Sequence, residues 1–217
     1  MKNGHAPNGA GAHPGNVILI RHAQTRSNAQ GTWHGNLDEG LSPLGEEEAH
    51  EAAERLRGRT DLRVDVVLSS DLRRAVETAQ IIAGAIGVTN VVHEPRLRER
   101  DMGEWSGRSP AEVEKRWPGM LERWIAGSIG GPPGGETDAA VAKRARRALL
   151  DRWDPEHGLA LVVTHGGVIR SLRREGGLPN DPVAHLGGHM ARIECHPRKV
   201  TLGKEILLGD PAAQPST

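Results

Sequence analysis

The stretch Val17-Ile18-Leu19-Ile20-Arg21-His22-Ala23-Gln24-Thr25-Arg26-Ser27-Asn28 decides how the rest of the chain is read. Four apolar, mostly β-branched residues run straight into Arg-His and then into a polar turn. A short continuous apolar run predicts a strand buried on both faces, because such a strand needs no polar alternation. The strand is expected at about residues 16–22. Arg21 and His22 then stand at its carboxyl end, where open α/β sheets place their ligands. A guanidinium and an imidazole held side by side there suit a phosphate. The arginine fork matches two phosphate oxygens, and the imidazole is a nucleophile toward phosphorus.

Bulk properties narrow the class. The chain has 217 residues with 28 Lys+Arg against 28 Asp+Glu, so no global basic field points to nucleic acid or membrane. Any anion site must be local. A single cysteine, Cys195, excludes an internal disulfide and asks for no oxidising compartment. No apolar run approaches the ~20 residues that span a bilayer, and the N-terminus has no hydrophobic signal region. A cytoplasmic protein is the expectation. There is no Phe and no Tyr, so five Trp carry the aromatic bulk.

Strand and helix patterns alternate along the chain. Strands are predicted at 64–68, 89–93 and 159–163, with two edge strands at 191–195 and 200–208. Helices are predicted from Ser42-Pro43, over 72–86, over 137–153 and from 168 to about 175. Ser109-Pro110-Ala111-Glu112 reads as a capping box with Pro at the first helical position. The segment 23–41 is expected to be a loop at the site's mouth. Such alternation predicts an α/β three-layer sandwich: a mostly parallel central sheet, helices on both faces, and a small cap over the strand ends at about 100–135. Residues 1–15 are too polar and glycine-rich to pack and are expected to be a disordered tail, 16–209 a single domain, and 210–217 a flexible tail.

Three strand ends gather chemistry. Arg21 and His22 end the first. Ser69-Ser70-Asp71-Leu72-Arg73-Arg74 ends the second, with Arg73 and Arg74 both candidates for the pocket. His165-Gly166-Gly167 ends the fourth and opens a helix, whose N–H groups suit an oxyanion. Glu99 lies in a loop near the same edge. Asp38 is read as turning the mouth loop, Trp105 and Trp117 as packing within the cap. The Lys143–Arg152 charges are read as a solvated helix face. His185 and His189 have a metal-like spacing, but Gly187-Gly188 between them argues against a helix and against zinc.

VILIRHAQTRSN, LSSDLRRAVETAQII, LRERDMGEWSG and VVTHGGVIR resemble, in order and spacing, the histidine phosphatase superfamily of phosphoglycerate-mutase-like fold. The resemblance covers about residues 16–175. It implies that His22 is the nucleophile that becomes phosphohistidine. It implies Arg21 and Arg74 as phosphate clamps, His165 as the second pocket histidine with Gly166 beside it, Glu99 as the acid/base and Asn28 as a phosphate contact. One departure stands out: the family usually has Gly after the nucleophile, and Ala23 is costly there if the position needs φ > 0. The segment 109–135 is short and lacks the basic stretch of the glycolytic mutases, and Pro132-Pro133-Gly134-Gly135-Glu136-Thr137 resembles a step of the small phosphatases. The expected function is therefore phosphomonoester hydrolysis on a small soluble phosphorylated metabolite. No metal and no cofactor are expected, neither nucleic acid nor membrane is a partner, and a homodimer is compatible with the chain. A phosphoglycerate-type mutase and a catalytically silent phosphate-binding protein, the latter supported by Ala23 alone, are the alternatives.

Overall fold

The computed structural model describes residues 16–153 and 158–210. The expected N-terminal tail and residues 211–217 lie outside that range. Six strands form one sheet in the order β3-β2-β4-β1-β5-β6: β1 Val17–Arg21, β2 Val64–Ser69, β3 Val91–His93, β4 Leu159–Thr164, β5 Gly187–Cys195 and β6 Arg198–Leu207. The first four run parallel, with β1 on β4 and β4 on β2. β5 and β6 run antiparallel to their neighbours.

Burial explains the apolar runs. Ile18, Ile20, Leu161 and Val163 face one side and pack under helices α2 (Pro43–Arg57) and α3 (Arg73–Ile86) through Ala49, Ala53, Ala79 and Ile82. Val17, Leu19, Ala160 and Val162 face the other side. They pack under α6 (Asp138–Arg152) and α7 (Gly166–Glu175) through Ala145, Leu149, Val168 and Ile169. A strand alternating between two apolar layers shows no polar periodicity, which is why the run reads as continuous. Helix starts follow their caps. Ser42 Oγ accepts the Gly45 N–H, and Ser109 closes the expected capping box with Glu112 at the head of α4 (Pro110–Arg116). Each such cap contributes about 1 kcal/mol.

Two expectations need correction. The strand predicted at 191–195 begins at Gly187 and is not an edge: it lies between β1 and β6, leaving β3 and β6 outermost. The glycine pair hides this in the sequence, because glycine reads as a breaker. A Cβ on Gly188 would meet the Leu19 carbonyl oxygen at 1.9 Å, so the close approach of β5 to β1 requires glycine there. The loop predicted for 23–41 contains one helical turn, α1 Arg26–Ala29, capped by Thr25.

A third, smaller apolar cluster joins Met102, Trp105, Val113 and Trp124, with Trp33 and Trp117 against it. Trp33 stacks on Trp105 with ring centres 5.7 Å apart, and Trp124 meets Trp105 edge-on at 5.6 Å. Trp105 and Trp117 thus spend their surface on each other and on this cluster, as expected. The short helices α4 and α5 (Met120–Ile125) complete it.

Candidate functional site

The segments that follow β1, β2 and β4 converge at the carboxyl ends of those strands. His22 follows β1 and is buried. Its Nδ1 lies 2.6 Å from the Ala23 carbonyl oxygen, and a carbonyl only accepts, so Nδ1 carries the proton. Nε2 is left with its lone pair. Arg74 Nε donates to that lone pair at 3.3 Å. Burial, then Arg74, His165 and Arg21, hold the His22 imidazole well below its ordinary value, so it is neutral at neutral pH.

Burial separates the two arginines. Arg74 is 1 % exposed, and its guanidinium donates to Leu37 O at 2.8 Å and Gly35 O at 2.9 Å. Arg73 points to solvent and pairs with Glu77. Asp38 does more than turn the loop. Its Oδ1 accepts the Arg73 N–H at 2.6 Å, and Leu72 at the cap of α3 offers no side-chain hydrogen bond. Asp38 therefore supplies from outside the cap that α3 lacks.

His165 is the N-cap residue of α7 and is completely buried. Its ring meets the His22 ring edge-on with centres 5.1 Å apart. Both of its ring nitrogens are buried without a hydrogen-bond partner. Burial, then Arg74, Arg144 and Arg21, hold it neutral as well. Arg21 reaches Val183 O with Nη1 at 2.7 Å. Desolvation, opposed by Glu99 and aided by Arg74, brings its guanidinium down to about 10, which leaves it charged at neutral pH.

Glu99 enters from the other side. Its Oε2 accepts the Gly167 N–H at 3.1 Å and its Oε1 the Arg100 N–H at 2.6 Å. Helix α7 thus starts two residues earlier than its apolar pattern suggests, and its first turn receives the carboxylate. A Cβ on Gly167 would stand 2.2 Å from Glu99 Oε1. A Cβ on Gly166 would only touch the Arg21 side chain, at 3.6 Å. The second glycine is therefore the one that the geometry requires. The cations flanking Glu99 in sequence are engaged elsewhere. Arg98 forms a two-pronged pair with Asp71 at 2.7 and 2.6 Å. Arg100 pairs with Asp138, donates to Ser171 Oγ at 2.8 Å and lies over the Trp124 ring.

Several residues escape a reading of the sequence. Arg144 does not lie on a solvated face. It donates to Arg96 O at 2.8 Å, Arg98 O at 2.7 Å and Glu99 O at 3.0 Å, while Glu136 grips it at 2.8 Å. It straps the Glu99 loop to α6. Nothing in a run of basic residues distinguishes such an arginine. His34 is buried at the mouth and pairs with Glu39. Asn28 closes the capping box of α1, with Oδ1 accepting from Thr25 Oγ1 at 3.0 Å. His185 and His189 do not converge. His189 faces Arg173 Nε at 2.7 Å and Gly203 O at 2.8 Å, whereas His185 faces Glu48. Among the described residues, no three His, Cys, Asp or Glu gather to hold a metal ion. No helix among them is long and apolar enough to cross a membrane.

Ala23 is accommodated. Among the described residues, Leu186 is the one non-glycine with a positive φ, so Ala23 needs no left-handed backbone. Its methyl is buried in the core, and its N–H donates to Thr78 Oγ1 at 3.2 Å.

The family model of the histidine phosphatase superfamily, branch 1, matches residues 17–194. The chain belongs to that superfamily. It is 35% identical over 196 residues to the glucosyl-3-phosphoglycerate phosphatase of Mycobacterium tuberculosis, covering 81% of this chain and 86% of that protein. It is 38% identical over 159 residues to phosphoglycerate mutase-like protein 4 of Arabidopsis thaliana, covering 72% of this chain and 68% of that one. The solved structure of the mycobacterial glucosyl-3-phosphoglycerate phosphatase in complex with VO3 superposes with a TM-score of 0.72 at 29% identity, covering 87% of this chain and 97% of that chain. As a member of this superfamily, the chain is a metal-independent phosphoric monoester hydrolase.

Proposed function

We propose that this histidine phosphatase cleaves its monoester through a covalent phosphohistidine on His22. The observation that carries the reading is the state of that ring: Nδ1–H is tied to Ala23 O, so the Nε2 lone pair faces Arg74 and the pocket. In the first step Nε2 attacks phosphorus and the ester oxygen leaves. Protonated Glu99 delivers a proton to that oxygen. In the second step Glu99, now a carboxylate, takes a proton from water as the water attacks the phosphohistidine. Inorganic phosphate leaves and His22 is restored. Covalent catalysis divides one difficult displacement into two easier ones.

The charge is met by fixed groups. Arg21, Arg74 and the first N–H groups of α7, Gly166 among them, surround the phosphoryl oxygens. Asn28, with Oδ1 committed to Thr25, has its NH2 group left to donate. Neutral His165, with both ring nitrogens unengaged, donates one N–H to the phosphoryl group. Such preorganised donors contribute most of the catalysis in phosphoryl transfer, and the donors here act without a metal.

The substrate is proposed to be a small phosphorylated metabolite, with the phosphorylated glycerate glycosides acted on by the mycobacterial relatives as the first class to test. The purified protein should release phosphate from glucosyl-3-phosphoglycerate faster than from 3-phosphoglycerate. Transfer of phosphate between positions of phosphoglycerate, primed by a bisphosphate and with little release to water, would instead show a mutase.

A further inference from the structure

A buried pair beside the pocket takes no part in the steps above. His185 is 6 % exposed, and its Nδ1 faces Glu48 Oε1 at 3.5 Å. Glu48 is buried too, and its Oε2 accepts the Gln24 N–H at 2.8 Å. One carboxylate therefore joins His185 to the turn that follows His22. The other ring nitrogen of His185, Nε2, is buried and has no hydrogen-bond partner. A buried polar atom without a partner is a standing cost, and it calls for a function.

The spacing indicates which ligand. The His185 and His22 ring centres are 6.4 Å apart. That is too far for a direct imidazole–imidazole hydrogen bond. It leaves room for a phosphoryl group between the rings, with His22 Nε2 facing phosphorus and one phosphoryl oxygen about 2.8 Å from His185 Nε2. The neighbouring backbone is held at a cost. Leu186 has φ of 57°, a region that a branched residue adopts only under constraint. The same turn is anchored to β1: Leu186 N donates to Arg21 O at 3.1 Å, and Val183 O accepts from Arg21 Nη1. Strain of this kind collects where a ligand is gripped.

We propose that His185 is a further phosphate-binding residue: backed by Glu48, it takes a proton from solvent as the phosphoryl group enters and donates Nε2–H to the oxygen lying between it and His22. The proposal rests on the pocket being a phosphate site. Burial leads in holding His185 below its ordinary value, with Glu48 opposing and Arg21 adding to it. The groups facing the ring are Arg21 at the end of β1, His22 directly after it, and Glu48 from α2. An arriving dianion reverses that balance, and Glu48 neutralises the imidazolium from behind.

Calorimetry of inorganic phosphate binding to the full-length protein tests this, in two buffers of different ionisation enthalpy near pH 7. Affinity and proton uptake are read together. His185→Gln and Glu48→Gln should each bind phosphate about tenfold more weakly, the effect of losing one charge-assisted hydrogen bond, and take up fewer protons than wild type. Titration of phosphate itself is common to all three and cancels. A wild type that binds phosphate, with both variants matching its affinity and uptake, would overturn the proposal and leave the phosphate site standing. A wild type that binds no phosphate would overturn both. Should His185→Gln fail to fold, Glu48→Gln decides alone, since its amide preserves the acceptor for Gln24.

Discussion

At the scale of single residues, the candidate site holds His22 and His165 neutral beside a charged Arg21. Nearby positive charge and burial act together on His22 and His165, and both push the imidazole toward its neutral form. Only a neutral His22 has a lone pair to give. In the proposed mechanism Glu99 has the opposite task, since it delivers a proton to the leaving oxygen. Its sequence neighbours Arg98 and Arg100 are paired with Asp71 and Asp138. The amide of Glu99→Gln keeps the size and shape of the side chain and one of its two contacts, to Gly167 N or Arg100 N, and removes the acidic proton. Turnover of an alkyl phosphate should fall by about 10²-fold or more, the usual weight of acid–base help, and that of nitrophenyl phosphate by much less. Steady-state rates on the two substrates check this. Equal losses on both would move the acid to Asp101 or Glu104.

At the scale of elements, helix starts do most of the positioning. Helix α7 brings His165 as its cap residue and receives Glu99 on its first turn. Helix α3 brings Arg74, with Asp38 capping it from the mouth loop. Arg144 on α6 holds the Glu99 loop by three carbonyl oxygens. Gly167→Ala should therefore displace the carboxylate without disturbing the sheet. The expected result is a loss of about 10²-fold on alkyl phosphates, with a melting temperature close to wild type. A fully active Gly167→Ala enzyme would show that Glu99 does not work from this position. Much of this is legible in the sequence. The apolar run before Arg21-His22 and the Ser-Pro and Ser-Pro-Ala-Glu caps announce their elements through local chemistry. Arg144, Glu48 and the start of β5 do not, for a physical reason. Their roles come from contacts with residues far away in the chain, and an arginine, a glutamate or a glycine pair looks the same in sequence whether it faces solvent or a partner. Local chemistry does not separate Arg73 from Arg74 for the same reason, since both lie in one helical turn; the family resemblance points to Arg74, and the tertiary packing buries it.

At the scale of the whole molecule, two apolar layers clamp a sheet, and five histidines are buried in the fold around it. His22, His34, His165, His185 and His189 are all held below their ordinary value near 6.5, with burial the leading cause in each. In the unfolded chain these rings take protons as pH falls through about 6.5, and in the folded protein they resist. The unfolded state then binds more protons, so stability is full above that pH and declines below it. The melting temperature should fall between pH 7.5 and pH 5.5, well above the range where carboxylates titrate. Saturating phosphate should offset part of the fall by binding only the folded form. A melting temperature flat across that window would contradict buried, neutral histidines. The most direct test of the covalent mechanism is to trap the phosphoenzyme itself. The protein is mixed with a phosphate monoester, quenched in denaturant at alkaline pH within one turnover, and mapped by mass spectrometry. A phosphoryl group is expected on the peptide containing His22, stable to base, lost in acid and absent from His22→Ala. Label on another residue, or label persisting in His22→Ala, would contradict a phosphohistidine at His22.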